Sequence, residues 1–531
     1  MKKRNRILAI TAIIGMLSSA FGIMPFAGEA DNLNPPIAEV EQGQLRGYMD
    51  DGTYAFLGVP YASVPERYAM PEEPESWKGI RDAQTYGTIC PIPAQTAVGD
   101  DEMVWPHRYW IQNENCQYLN IWTQSLDEDA KKPVLVFFHG GGYTNGSSIE
   151  AVAYEGKNLS EYGDAVVITL NHRLNILGFL DLSDYGEEYK YSANLGIADL
   201  IAALDWIHDN ADSFGGDGDN ITIFGQSGGG GKVLSMLHSP KAEGLVKQAI
   251  VESGSLSFNN PENNKKVTEK VLEKLDIDAD SIDEIKTVPY EDLIAAGTEA
   301  LAEVSEEAGS NVRWAPTADE DLLTTELCEW SSDVPMMVGS VFSEQTSTFR
   351  RGDGRKNEWT EEETMSYLTE RFGDGADAVA EEFAKVFPDR KLADAYFYAP
   401  SNRQRVNKTA QEKEAAGDAN VYTFLFNYEA PVNGGTTAFH CVELIYAFHN
   451  VEIPVITRAT GGNEDALRIQ DQVATAWLNF AKTGDPSQDG LEWKPYTSDE
   501  QNVMCFDIES KCFVLGDDTL NQLMLDNMQT N

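Results

Sequence analysis

The sequence predicts an α/β fold in which a large, mostly parallel central sheet is flanked by helices. Three apolar runs carry that prediction: Pro133-Val134-Leu135-Val136-Phe137-Phe138, Ala165-Val166-Val167-Ile168-Thr169-Leu170 and Ile221-Thr222-Ile223-Phe224. Runs this continuously apolar are strands buried on both faces. Between the last two, Ile197, Leu200, Ile201, Leu204 and Ile207 recur at helical spacing over residues 194–210. Strand, helix, strand is the unit from which parallel sheets are built.

The chain opens with Lys2, Lys3, Arg4 and Arg6, an apolar run from Ile7 to about Met24, then Pro25 and small residues up to Ala30. That order predicts a signal peptide over residues 1–30, with cleavage after Ala30 fitting best and cuts after Ala20 or Gly22 as the alternatives. Export to the extracellular space follows from it, and no later stretch of sequence is long and apolar enough to span a bilayer. Residues 31–531 are expected to form one domain, since neither an internal repeat nor a long low-complexity linker divides them.

From Ala38 to Val59, short β-type runs alternate with Gly and Asp turns, which predicts an opening antiparallel sheet. Residues 260–310 and 360–416 are acidic, helix-rich and less apolar, and read as helical insertions over the active site or the sheet edge. Val421 to Leu425 and Val503 to Val514 supply further strands. The 531 residues are 42% hydrophobic, enough for a large core, and carry a formal net charge of −46 at pH 7. A charge of that sign and size argues against nucleic acid and anionic membrane surfaces as partners. Six cysteines fit an oxidising compartment; Cys505 and Cys512 flank a short polar run and are placed to clip a hairpin, and Cys328 and Cys441 are expected to be free.

The chemistry is concentrated in Asn220-Ile221-Thr222-Ile223-Phe224-Gly225-Gln226-Ser227-Gly228-Gly229, a β-type run ending in Gly-x-Ser-x-Gly. A strand-to-helix turn this tight needs small residues two before and two after the serine, and Gly225 and Gly229 meet that need. A serine hydroxyl needs a base to take its proton and an acid to orient that base. In the α/β-hydrolase order the acid and then the histidine follow the serine. His238 comes too soon after Ser227 for an acid to intervene, which leaves His440 or His449. Upstream, Leu135 to Tyr143 is a buried strand running into Gly140-Gly141-Gly142, whose backbone N–H groups are free to face a developing oxyanion. The run Gly228-Gly229-Gly230-Gly231-Lys232 is no phosphate loop, because Gln226 and Val233 stand where that motif needs Gly and Ser or Thr.

Beyond these pieces, the chain resembles the type-B carboxylesterase family, which includes bacterial p-nitrobenzyl esterases, animal carboxylesterases, fungal lipases and cholinesterases. The resemblance rests on Phe56 to Ala62, Glu114 to Trp122, the His139 glycine loop, Asn171 to Leu174, Gly178 to Leu180, Phe214 to Asp217, the elbow, Ser253 to Ser255 and Trp477 to Pro486. It implies the α/β-hydrolase fold, ester hydrolysis without metal or organic cofactor, and a small-molecule ester as partner. By residue it implies Glu344, in Gly339 to Gln345, as the orienting acid and His440, in Ala438 to Leu444, as the base, leaving His449 structural. It further implies Gly141, Gly142 and Gly228 as oxyanion donors and a Cys90–Cys116 disulfide, a link worth about 3–4 kcal/mol in the chain-entropy model.

The chain departs from the family's pattern at Gln226, where glutamate is common, at Gly228, usually alanine, and at Cys441 and Gln345, usually glycine. These departures bear on substrate class. Trp105 and Trp110 lie in the loop between Cys90 and Cys116, where cholinesterases carry a tryptophan that recognises choline. They are expected to line or cover an apolar pocket of a general carboxylesterase. The competing expectations are a cholinesterase-like hydrolase of cationic esters, weakened by Gln226 and by Ser347-Thr348, and a non-catalytic relative acting in adhesion or binding, weakened by the intact Ser227, Glu344 and His440.

Overall fold

The computed structural model describes residues 35–93, 102, 105–344, 355–432 and 434–529. The expected leader at residues 1–30, Gln345 and Ser347-Thr348 lie outside the described residues. Fourteen described strands follow in chain order: β1 Ile37–Val40, β2 Gly43–Arg46, β3 Tyr48–Asp50, β4 Thr53–Pro60, β5 Ile80–Asp82, β6 Tyr118–Thr123 and β7 Lys132–Phe138 come first. After them come β8 Val166–Leu170, β9 Gly216–Gln226, β10 Gln248–Glu252, β11 Met336–Val341, β12 Val421–Phe426, β13 Asn502–Phe506 and β14 Lys511–Val514. β1, β2 and β5 form a small sheet, while the other eleven form the central one in the order β14-β13-β12-β11-β10-β9-β7-β8-β6-β4-β3.

The central seven strands, β8 through β13 in that order, pair in parallel, and antiparallel strands close both ends. The expected opening antiparallel region is present as β1–β2 and β3–β4. Every residue of β7, β8, β10, β11 and β12 is buried, as their β-branched and aromatic content requires. Successive side chains alternate between faces. Val134, Val136, Phe138 and Ile223 join the core with Ile197, Leu200 and Leu204 of the helix Leu195–Asn210. Leu135, Phe137 and Phe224 join the opposite core with Phe448 and Trp477.

Both helical insertions form. The first holds Pro261–Lys274, opened by Pro261 and the Asn260 side chain, and Tyr290–Ala308; Lys270 and Lys274 pair with Glu303 across the two helices. The second holds Glu361–Phe372, which starts from a reciprocal Thr360–Glu363 capping box, then Ala376–Val386 and Pro400–Ala416.

The expected Cys505–Cys512 clip does not form. In the β13–β14 ladder Met504 faces Cys512 and Cys505 faces Lys511. The two cysteines are therefore one position out of register, and pleating sends their side chains to opposite faces. Cys505 is buried, and Cys512 is directed toward the Lys494 carbonyl.

Candidate active site

The elements of the site all meet at the carboxyl ends of the parallel strands, where open α/β sheets bind ligands. β9 ends at Gln226 and the helix Gly228–Leu237 begins two residues later. Ser227 between them adopts φ 57°, ψ −121°, a conformation sparsely populated for any residue but glycine. Its N–H donates to the Glu252 carbonyl at the end of β10, 2.8 Å away, and its own carbonyl accepts from the Gly231 N–H at 3.1 Å. The two flanking glycines are sterically required. A Cβ at Gly229 would stand 2.0 Å from the Phe138 carbonyl oxygen, and one at Gly225 would stand 2.6 Å from the Gly229 carbonyl carbon.

The glycine loop follows β7, the neighbour of β9. Gly141 and Gly142 have φ of +82° and +63°, and the Gly141 carbonyl accepts from the Asn145 N–H, which turns the loop back on itself. Lys232, the residue that gives the glycine run its phosphate-loop look, is fully buried beneath this loop and donates to the His139 carbonyl at 2.8 Å. Burial lowers its ammonium to about 7. His139 and His172 stack beside it and are held well below the usual imidazole range by burial and by the Lys232 charge.

Glu344 follows β11, and His440 sits in the loop that precedes the helix Val442–Ala447. A parallel bridge between Ser343 and Phe439, with the Ser343 N–H donating to the Ala438 carbonyl at 2.8 Å, fixes these two loops against each other. The consequence is direct: His440 Nδ1 is hydrogen-bonded to Glu344 Oε2, and the Val341 N–H donates to Glu344 Oε1 at 3.2 Å. Glu344 is buried, and the His440 side chain keeps 17% exposure, so the imidazole is anchored on one edge and open on the other.

Beneath this pair lies a cluster that the sequence motifs do not announce. Gln226 is buried, its amide nitrogen 3.2 Å from His440 Nδ1, and the Cys441 thiol donates to its Oε1 at 3.0 Å. Cys441 takes φ 78°, the left-handed conformation that suits the family's glycine. Glu443 and Glu252 are fully buried in the same region. Burial raises the Glu252 carboxyl to about 8, against the opposing hydrogen bond from Trp477 Nε1 at 2.7 Å. Burial first, and then the charges of Glu252 and Glu344, push Glu443 well above the usual carboxylate range. Neither of its oxygens makes a well-formed hydrogen bond, so the nearby Gln226 amide offsets only part of that burial. Both shifts run toward the protonated form. In the sequence, Glu443 lies within the segment Ala438 to Leu444 that carries His440, and Glu252 is a lone charge closing an apolar strand.

One cavity of about 470 Å³ is lined by Ser227, Gly228, Gly142, His440 and Glu344. Tyr143 and Thr144 of the loop after β7 line it as well, as do Trp314, Pro400 and Met528. Trp105, Trp110 and Gln226, the expected pocket residues, do not line it. Residues 105–111 run along a bridge between His107 and Ala151, which turns Trp105 into the core against Tyr154 and leaves Trp110 on the surface against Tyr86. His449 stacks on Tyr162 and contacts Asp471, and His238 caps the helix that follows the elbow; neither lines the cavity. The expected Cys90–Cys116 disulfide is not formed: both are free, buried thiols within hydrogen-bonding reach of one another. Among the described residues no group of His, Cys, Asp and Glu could hold a metal ion, and no helix is long and apolar enough to cross a membrane.

A serine on a strand-to-helix elbow of a mostly parallel sheet, with a carboxylate-held histidine at the same sheet edge, defines the α/β-hydrolase class of serine hydrolases. The chain belongs to the carboxylesterase family, whose sequence profile matches residues 34–524. It is therefore a hydrolase of carboxylic esters. The para-nitrobenzyl esterase of Bacillus subtilis is 30% identical, over 89% of this chain and 95% of its own length. The phenmedipham hydrolase of Pseudarthrobacter oxydans is also 30% identical, over 88% of this chain and 94% of its own. Among solved structures, an esterase from Clostridium hathewayi described as able to hydrolyse aliphatic aromatic polyesters superimposes with a TM-score of 0.86 at 38% identity. That superposition covers 93% of this chain and 99% of the other.

Proposed function

We propose that the chain is a secreted serine carboxylesterase that works through an acyl-enzyme on Ser227. The observation that carries this reading is the cavity that Ser227 shares with His440, Glu344, Gly142 and Gly228, with His440 Nδ1 already committed to Glu344. That commitment leaves Nε2 to serve as the base. Ser227 Oγ attacks the ester carbonyl carbon while His440 takes its proton, and Glu344 holds the ring and stabilises its cationic form. The carbonyl oxygen becomes an oxyanion facing the N–H groups of Gly141, Gly142 and Gly228. As the tetrahedral intermediate collapses, His440 gives its proton to the leaving alkoxide. Water, deprotonated by the same imidazole, then attacks the acyl carbon, and the acid departs with Ser227 restored.

Secretion rests on the basic-apolar-small order of residues 1–30, and a Cys90–Cys116 disulfide suits the oxidising compartment that export provides. The cholinesterase-like alternative loses its main support, since Trp105 packs against Tyr154 rather than facing the cavity. The test is a panel of p-nitrophenyl esters from acetate to palmitate together with choline esters, using Ser227→Ala as the blank and a fluorophosphonate probe to label the nucleophile. Equal hydrolysis by wild type and blank, or labelling that persists in the blank, would overturn the assignment.

A further inference from the structure

The cavity above Ser227 is also lined by Arg313, Arg371 and Arg405. Three guanidinium groups around one cavity stand out in a chain whose 40 basic residues are outnumbered by 86 acidic ones. Elsewhere this chain supplies carboxylates to its buried arginines: Arg173 pairs with Asp199 at 2.6 Å, and Arg403 pairs with Asp517 at 3.0 Å. Arg403 and Arg405 lie two residues apart on the helix Pro400–Ala416, with Arg403 buried and Arg405 exposed. Helical spacing groups Arg405 instead with Ser401 and Asn402, which line the cavity with it. Among the described residues Arg405 has no ion pair or hydrogen bond, and Arg313 has no ion pair, only a bond from its Nη2 to Ser257 Oγ at 2.9 Å. Arg371 is more firmly built in, donating to the Tyr398 carbonyl and lying over the Tyr396 ring. The helix that carries Arg405 also directs its amino-terminal turn, Pro400 to Asn402, at the same cavity, adding partial positive charge.

From this arrangement we propose that the preferred substrates are anionic carboxylic esters, in which the acid portion ends in a second, free carboxylate. The guanidinium fork matches a carboxylate with two parallel hydrogen bonds, and its charge is independent of pH in the working range. The proposal rests on the Ser227 esterase reading and specifies its substrate class. Chemically the step is unchanged: the ester carbonyl is cleaved on Ser227 while the far carboxylate sits toward Arg313 and Arg405. A diester would become such an anion after its first hydrolysis, so the second cut would be the one the arginines favour. The net charge of the whole chain repels anions at long range, and Arg313 and Arg405 at the site oppose that repulsion where it matters.

The test compares mono-p-nitrophenyl adipate with p-nitrophenyl hexanoate, which differ only in the terminal carboxylate. The quantity read is the ratio of kcat/KM for the anionic to the neutral ester. For the double variant Arg313→Gln/Arg405→Gln the ratio is expected to fall about tenfold, about threefold for each exposed arginine. Raising the ionic strength should lower the wild-type ratio in the same direction. Lys385→Gln, which removes one positive charge from a distant surface ion pair with Glu381 and Glu382, should leave the ratio at its wild-type value. A ratio equal in wild type and double variant, or a wild-type ratio indifferent to salt, overturns the proposal. Failure of the esterase reading is a separate result: neither ester would then be cleaved faster by wild type than by Ser227→Ala.

Discussion

Gly228 and Gly142 meet backbone to backbone: a methyl group on Gly228 would stand 2.4 Å from the Gly142 Cα and 2.5 Å from its nitrogen. The residue after Ser227 and the tip of the glycine loop are thus packed too closely for the alanine common in the family. Glycine at 228 lets the loop approach the elbow, and the loop's position depends on that glycine.

Gly228→Ala is therefore expected to lower kcat rather than merely restore a familiar residue. The methyl must displace backbone, not a flexible side chain, and a displaced Gly142 N–H is lost to the oxyanion site proposed for it. Loss of one such donor costs about 10²–10³ in kcat. Steady-state kinetics on p-nitrophenyl butyrate should show the loss in kcat with little change in KM. Wild-type kcat in the alanine variant would mean that the loop adapts freely.

Glu344→Gln keeps the size of the side chain and removes its charge. The imidazole then loses the partner that fixes its tautomer and stabilises its cation, so kcat is expected to fall by about 10³–10⁴. Circular dichroism should stay at wild type, since the amide can still accept from the Val341 N–H, the bond that Oε1 accepts now. A loss of less than tenfold would assign the acid role elsewhere.

The sheet and the elbow were legible because they are encoded locally. Continuous apolar runs such as Leu135 to Phe138 have a single reading, and Gly-x-Ser-x-Gly at the end of such a run has a steric reason that needs no fold. Glu344 and His440 became legible only through the resemblance, since the Ser343–Phe439 bridge that brings them together joins positions 96 residues apart. The cavity lining was not legible. Arg313, Arg405 and Met528 arrive from three separate segments, and no periodicity ties them together. Trp105 misled for a related reason: an aromatic residue in a loop carries no mark of which way it faces, and here it faces the core. The Cys505–Cys512 expectation failed on a single residue of register, which hairpin spacing alone does not reveal.

Glu252 makes stability depend on pH. Its folded-state carboxyl, raised to about 8 by burial, holds a proton over a range in which the unfolded chain has lost it. Its contribution is fully present below the unfolded value and is lost as pH rises toward and through about 8. Glu252→Gln keeps an acceptor for Trp477 Nε1 and cannot ionise. Between about pH 5 and about pH 8 the wild-type Tm is expected to fall more than that of the variant. Parallel Tm profiles would show that the Glu252 carboxyl ionises in the folded protein as readily as in the unfolded chain; Glu443 shifts in the same sense and remains in both proteins.

The two cysteine pairs are expected to separate cleanly by their chemistry. Cys90 and Cys116 are buried beside each other, whereas Cys505 and Cys512 point to opposite faces of the β13–β14 ribbon. Peptide mapping of protein produced in an oxidising compartment and alkylated without reductant should recover Cys90 and Cys116 linked and Cys505 and Cys512 unlinked. Replacing both members of the first pair by alanine should lower the unfolding free energy in urea by about 3–4 kcal/mol, the loop-closure term for a link of this span. Replacing Cys512, which is only half-buried and makes just a long contact to the Lys494 carbonyl, should change stability by less than about 0.5 kcal/mol. Recovery of alkylated Cys90 and Cys116 from active enzyme would remove the disulfide and with it the main chemical argument, beyond the order of residues 1–30, for the proposed export.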